Sequence, residues 1–302
     1  MRTRERVLLA ALLLCSVCAV ALSQAGRHPV PSAERTTFLN VTATRADGAD
    51  TPVSPKEVAL YDDGVEQKVQ SFQLDPTPAR IVLLVDNSKS LRTDVPKLQQ
   101  VAREFIYEIF EGDQLLIVGY DEQAEIVTDW TDNPKQVDAS LNMIRKQGEP
   151  HLFDAITAVI NEALQPLVGG TRKRAIVLIG DGLDRGSHTK FKEALAELQR
   201  QDIAVYALQI PDRTGGALRR DQPKPAKVVE QLAEGTGGRV LPLSEPRQAA
   251  SAICDELRKH RYLLAYSPST YNAYDARRLL VTGSSGIDFR YKSAQPPLHS
   301  LN

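Results

Sequence analysis

The run Ile81-Val82-Leu83-Leu84-Val85 limits what this chain can fold into more than any other segment. A strand with one face in water alternates apolar and polar side chains. Five apolar residues in succession read instead as a strand covered on both faces, the situation inside a parallel sheet with helices packed above and below it. Two more buried strands are predicted over 114–120 and 175–179. Between and beyond them, apolar residues recur at helical spacing. In 95–110 these are Leu98, Val101, Ala102, Phe105, Ile106 and Ile109. Further helices are predicted over 134–145, 152–164, 190–200, 226–234 and 246–260, with strands over 204–210 and 240–243. Gly235-Thr236-Gly237-Gly238 stops the fifth of these six helices. Strands that alternate with helices in this way predict a doubly wound α/β fold, with a mostly parallel sheet and helices on both faces. The strand predicted over 125–130 follows the short turn Asp121–Ala124, so it is expected to run antiparallel.

The flanks follow another pattern. Residues 36–78 hold short strands over 37–44, 57–61 and 66–72, separated by turns such as Ala46-Asp47-Gly48 and Asp62-Asp63-Gly64. Strand-like segments return in the tail, 261–302, over 262–267, 277–282 and 287–291. The two flanks are expected to pair as a small β-subdomain around a main domain over 79–260. At the start of the chain, Arg2, Arg4 and Arg6 precede an apolar stretch over 7–22 and the small residues of Ser23-Gln24-Ala25. This is the pattern of an export signal over 1–25, with a membrane anchor as the alternative reading, followed by a polar linker over 26–35. The expected location is secreted or periplasmic, with no stable membrane insertion once the signal is cleaved. Cys15 and Cys18 leave with the signal. Cys254 remains alone on the apolar face of a helix and is expected to be a core residue. The net charge is −1, which argues against nucleic acid as a partner, because a phosphate backbone calls for a basic excess.

The segment Val85-Asp86-Asn87-Ser88-Lys89-Ser90 lies just past the first buried strand. In an open α/β sheet, ligands bind at the carboxyl ends of the strands. One carboxylate and two hydroxyls spaced two residues apart, Asp86, Ser88 and Ser90, can face a common point. They are hard oxygen donors of the type Mg²⁺ or Mn²⁺ takes, and an acidic partner group could replace a metal-bound water. Asp181, between Gly180 and Gly182 after a later strand, would join them if the two strands are neighbours. Asp and Ser at a strand end are also ordinary turn formers and helix caps. Asp154 is expected to start a helix and His151 to lie on a surface loop. Arg172-Lys173-Arg174 is expected to be a solvated approach to a strand. Asn40-Val41-Thr42 forms a glycosylation sequon.

Taken together, these residues resemble the von Willebrand factor type A (VWA) family. Asp86, Ser88 and Ser90 resemble its metal-ion-dependent adhesion site, and Asp181 resembles the aspartate of its later strand loop. Leu152-Phe153-Asp154-Ala155-Ile156 resembles its usual helix start, and Leu232-Ala233-Glu234 with Gly237-Gly238-Arg239-Val240 its last helix-to-strand turn. The resemblance covers residues 80–260. The β-rich flank around Val58–Gln67 is similar to a secreted subgroup known from acidobacterial sequences. The resemblance implies a non-enzymatic adhesion or protein-recognition module with Mg²⁺ or Mn²⁺ at Asp86, Ser88, Ser90 and Asp181, and a protein partner that offers an acidic side chain. Two positions depart from the family pattern. Lys89 stands where glycine is usual, and Pro150 stands where a threonine ligand belongs, with Glu149 and His151 as possible replacements. A metal-free scaffold using the same face and a metal-dependent hydrolase are the alternative readings. No G-x-S-x-G, H-E-x-x-H or phosphate-loop pattern favours an enzyme.

Overall fold

The computed structural model describes residues 36–167, 173–211, 222–269 and 275–297. The expected signal (1–25), the linker (26–35) and Arg172 lie outside these. The N-terminal flank forms β1 (Thr37–Arg45), β2 (Val58–Asp62), β3 (Val65–Gln67) and β4 (Val69–Leu74). The middle of the chain forms β5 (Arg80–Asp86), α1 (Val95–Glu108), β6 (Gln114–Tyr120), β7 (Ala124–Thr131), α2 (Pro134–Ser140), α3 (Leu152–Ala158), β8 (Arg174–Gly180), α4 (Phe191–Arg200), β9 (Ala204–Gln209), α5 (Pro225–Gly235), β10 (Val240–Pro242) and α6 (Pro246–Lys259). The tail forms β11 (Arg261–Tyr266), β12 (Arg277–Gly283), β13 (Ile287–Tyr291) and β14 (Ala294–Gln295).

The uninterrupted apolar runs do what their composition requires. β5 takes the middle of a six-stranded sheet of order β10-β9-β8-β5-β6-β7, parallel except at β7. Alternate side chains of each strand enter different cores. Ile81, Leu83 and Val85 pack with α1, α2 and α6, whereas Val82 and Leu84 pack with α3, α4 and α5. The sheet is thus doubly wound. The chain passes from β5 to β6 on one side and later returns to β8 on the other, so the strand order reverses at β5.

The flanks build two further four-stranded sheets, β13-β1-β11-β4 and β14-β12-β2-β3, from strands of both chain ends. β1 runs antiparallel to both β11 and β13, and β2 antiparallel to β12. Their shared core holds Leu39, Val41, Leu60, Phe72, Tyr262, Leu264 and Val281, with the Phe72 and Tyr262 rings stacked 4.6 Å apart. The described residues from Thr37 onward pack as one unit.

The structure departs from the sequence expectations in several places. The strand expected over 66–72 is two strands broken at Lys68, because β3 pairs with β2 in one sheet and β4 with β11 in the other. The helix expected over 134–145 ends at Ser140 and passes into a 3₁₀ turn, Leu141–Met143. The Ser140 hydroxyl donates to the carbonyls of Gln136 and Val137, a back-bond that competes with the helix ladder. The helix expected over 152–164 continues past α3 as a π-helical stretch, Val159–Leu164. The Asn40 sequon lies inside β1. Asn40 is 3% exposed and its amide donates to the Asp202 carbonyl, so the folded chain offers no acceptor there. Lys173 is not solvated but 1% exposed. Burial lowers its basicity, while the nearby charges of Asp75 and Asp113 support its ammonium. Cys254 is a buried free thiol of the core. Among the described residues, no helix is long and apolar enough to cross a membrane.

Candidate functional site

Asp86 ends β5 at the point where the strand order reverses, which is where open α/β sheets open a crevice. It is fully buried. Its Oδ1 accepts the backbone N–H of Ser88 at 2.8 Å, and this turn brings the Ser88 and Ser90 hydroxyls within 3.0 Å of each other. Asp86 Oδ2 is buried and makes no hydrogen bond of normal geometry. Its polar neighbour is the hydroxyl of Tyr120, whose Cα is paired with that of Asp86 across β5 and β6. Both groups crowd Gly180 at the end of β8. A Cβ on Gly180 would sit 3.2 Å from Tyr120 Oη and 3.5 Å from Asp86 Oδ2.

β8 is the direct neighbour of β5, with Val85 paired to Ile179. The loop after β8 therefore starts beside Asp86, and Asp181 lies in it, buried, with Oδ1 accepting the Leu183 N–H at 2.9 Å. The structure thus brings together all four residues singled out by the sequence. Two carboxylates at this edge oppose each other electrostatically. Burial is the main cause that lifts the Asp86 pKa from 3.8 to about 7. Ser88 opposes the rise, the Asp181 charge adds to it, and the Lys146 charge opposes it. Burial and the charges of Asp86 and Asp181 push the Tyr120 phenol well above its ordinary range, so it stays protonated.

The loop before α3 closes the third side. Gln147 N–H donates to the Asn87 carbonyl at 2.7 Å, and Lys89 N–H donates to the Gly148 carbonyl at 3.2 Å. Pro150 is buried, and its carbonyl accepts the Arg185 N–H at 2.8 Å. Glu149 is paired with the Arg185 guanidinium at 3.1 Å. His151 is half-buried rather than a free surface histidine. Its ring rests on Gly186, where a Cβ would come within 1.7 Å of Nε2. Asp154 lies in the first turn of α3, but its carboxylate accepts the N–H groups of His188 and Thr189, each at 2.8 Å. Although its partial burial works the other way, these bonds hold Asp154 down to about 2. The Ser187 hydroxyl accepts the N–H groups of Phe153 and Asp154 at 3.1 Å and donates to Asp184, so it caps α3.

Residues 81–183 match the family model of the von Willebrand factor type A domain. The chain carries a VWA domain in this segment. Among solved structures, it is similar to an aerotolerance-related membrane protein from Bacteroides fragilis, at 20% identity over 60% of this chain and 99% of that one, with a TM-score of 0.44. It is also similar to a von Willebrand factor type A protein from Catenulispora acidiphila, at 9% identity over 86% of this chain and 73% of that one, with a TM-score of 0.49. A third, BatB from Bacteroides thetaiotaomicron, gives 20% identity over 60% and 98% of the two chains and a TM-score of 0.44. No curated protein matches.

Within this VWA domain, three residues at the site carried no clear sequence signal. Tyr120 is found only through strand register, Gly180 only through its contacts, and Lys146 only because the loop before α3 folds over the 87–93 loop. Its ammonium donates to the Leu91 carbonyl. Asp86, Ser88, Ser90 and Asp181 offer oxygens alone, the chemistry of a hard divalent cation. Pro150, at the threonine position, adds no side-chain oxygen. The loop that carries Asp181 depends on Gly182, which has φ +80° and where a Cβ would meet the Pro225 carbonyl oxygen at 2.4 Å and Val229 Cγ2 at 2.6 Å. Gly182→Ala is expected to destabilise the protein by about 2–3 kcal/mol through strain and overpacking. This would be read as a lower urea midpoint with an unchanged slope.

Proposed function

We propose that this VWA domain is a recognition module that works outside the cytoplasm and grips a protein partner at the carboxyl edge of its central sheet. Asp86, Ser88 and Ser90, with Asp181 in support, would hold Mg²⁺ or Mn²⁺. A bound ion supplies positive charge and open coordination positions for a carboxylate of the partner. The single observation that carries this reading is Asp86. A buried carboxylate oxygen that meets no polar group but the Tyr120 hydroxyl, and makes no hydrogen bond of normal geometry to it, is costly to keep charged next to a second carboxylate unless something cationic meets it. The two serine hydroxyls converge beside it. Lys89 supports the reading rather than opposing it, because its side chain is exposed. Lys89 and Arg92 are both exposed beside this loop, a rim suited to an acidic partner segment. Location outside the cytoplasm rests on the basic and apolar start of the chain. Binding is favoured over catalysis because the Ser187 hydroxyl, next to His188 and Asp184, is already engaged as a helix cap.

Thermal unfolding in EDTA, Mg²⁺ and Mn²⁺ tests the reading. An ion at a hundredfold excess over its Kd should add about 2.7 kcal/mol, roughly 5–10 °C in a domain of this size, and Asp86→Ala should abolish the gain. A second reading, a metal-free grip through the same face, is favoured by Pro150. Absence of any shift with either ion at millimolar concentration, or partner capture that survives EDTA, would select it.

A further inference from the structure

We propose that the cavity between α6 and the polar face of the β13-β1-β11-β4 sheet is a binding site for a compact oxyanion, a phosphate or a carboxylate group. It is distinct from the carboxyl edge of the central sheet and needs no metal there.

Strand register builds one wall. Thr42 pairs with Arg290 and Thr44 with Asp288 across β1 and β13, and Thr42 pairs with Arg261 across β1 and β11, so these side chains share one face. The opposite face of β1 sends Val41 and Ala43 into the flank core. The second wall is α6, where Ala252 and Glu256 lie one turn apart and His260 follows at the end of the helix. Arg239, just before β10, closes a third side. The cavity they line is about 450 Å³. That is room for an oxyanion and several waters, since each water takes about 30 Å³ in the liquid.

The guanidinium charge here exceeds what the one buried acid can use. Glu256 Oε1 already accepts the Tyr206 and Thr42 hydroxyls, and Oε2 is shared by Arg290 at 2.5 Å and Arg239 at 3.2 Å. Arg261 lies behind them, donating to Thr42 Oγ1. A nitrogen of each arginine lacks a hydrogen-bond acceptor among the described residues: Arg239 Nε, which is misaligned toward Glu256, Arg290 Nη1 and Arg261 Nε. Unpaired guanidinium N–H groups are costly in a buried setting, and carboxylates and phosphates supply the acceptors that a guanidinium fork fits. The other charged groups around the cavity leave this surplus in place. Asp255 is paired with Lys259 at 3.0 Å, and His260 lies 3.9 Å from Asp50. Asp288 is 3.9 Å from Arg290 Nε but 70% exposed, so water and salt screen it. Arg239 and Arg290 are both partly open to solvent, which gives an incoming anion access to the pair.

The test is calorimetric titration of the protein at low chloride with inorganic phosphate and, separately, with acetate. Saturable binding of at least one at millimolar concentration is expected, and the tighter of the two names the group that the site is built for. Arg239→Gln, on the more exposed of the two lining arginines, should weaken binding about tenfold with the far-UV circular dichroism unchanged. Ala252→Glu places a carboxylate in the cavity from a helix position that accepts glutamate, and should abolish binding. Glu256→Gln removes the competing carboxylate and should tighten it. No saturable binding of either anion by the wild-type protein would overturn the proposal. So would binding that Arg239→Gln and Ala252→Glu leave unchanged, or binding that is lost in Asp86→Ala, which would place the anion at the other edge.

Discussion

Glu256→Ala is expected to destabilise the protein by about 3–5 kcal/mol, because it removes the one acid of a buried charged cluster. Glu256 is 3% exposed, on the last turns of α6 just before the chain enters β11. Its Oε1 accepts the Tyr206 hydroxyl at 2.6 Å and the Thr42 hydroxyl at 3.4 Å. Its Oε2 faces Arg290 at 2.5 Å and Arg239 at 3.2 Å. Arg261, 1% exposed, donates to Thr42 Oγ1 at 3.1 Å and completes the cluster. These partners come from β9, β1, β13 and the loop before β10, so one carboxylate ties the VWA sheet, its last helix and the flank sheet together. Truncation would leave the partly exposed Arg239 and Arg290 without their acid and the buried Tyr206 hydroxyl without its acceptor. Glu256→Gln keeps the shape and the Tyr206 bond, so its expected cost is smaller, about 1–3 kcal/mol. Urea unfolding of both variants decides the matter. A loss below about 1 kcal/mol for Glu256→Ala would show that water satisfies the arginines and that the cluster is not what joins the two parts.

That junction also marks where sequence reading stops. The central sheet was legible because β5, β6 and β8 are apolar on both faces, and nothing but a helix-covered sheet buries such runs. Asp86, Ser88 and Ser90 were legible because they lie within five residues of one strand end. Asp181 was legible as a type of residue, but its place beside Asp86 needed the β5–β8 adjacency, which local periodicity does not contain. The break at Lys68 was missed because alternation continues from β3 to β4 while the chain changes sheets. Lys173 was misread because a short basic run is ordinarily solvated, whereas here two acids from other segments, Asp75 and Asp113, meet it. Lys146 was equally invisible: backbone bonds between two loops distant in sequence bring its ammonium to the Leu91 carbonyl. Partnerships between charges distant in sequence are fixed by topology, and single-residue patterns do not carry them.

The charge on Asp86 sets the second large effect. In EDTA at pH 8, Asp86→Asn is expected to be more stable than the wild-type protein. The gap between the ordinary 3.8 and about 7 corresponds to roughly 4 kcal/mol at most, at about 1.4 kcal/mol per pH unit. Asparagine keeps an oxygen for the Ser88 N–H and brings an amide N–H toward the Tyr120 hydroxyl, so the substitution removes a charge with little change of shape. The sign follows from the raised value. The folded state binds the Asp86 proton more tightly than the unfolded chain does. The stability that this gives is fully present below pH 3.8, is lost as pH rises toward 7, and is absent above it. The wild-type protein should therefore fall behind Asp86→Asn between pH 4 and 7, and the difference should level off near pH 8. Added Mg²⁺ should close the gap from the wild-type side, because the ion engages the deprotonated carboxylate, and its affinity should fall as pH drops below about 7. Unfolding free energies of both proteins at pH 5, 6, 7 and 8, with and without ion, test each step. A difference that does not vary with pH would mean that Asp86 is ionised throughout, with its charge already neutralised inside the fold. The site would then be a settled part of the structure rather than one held ready for a cation.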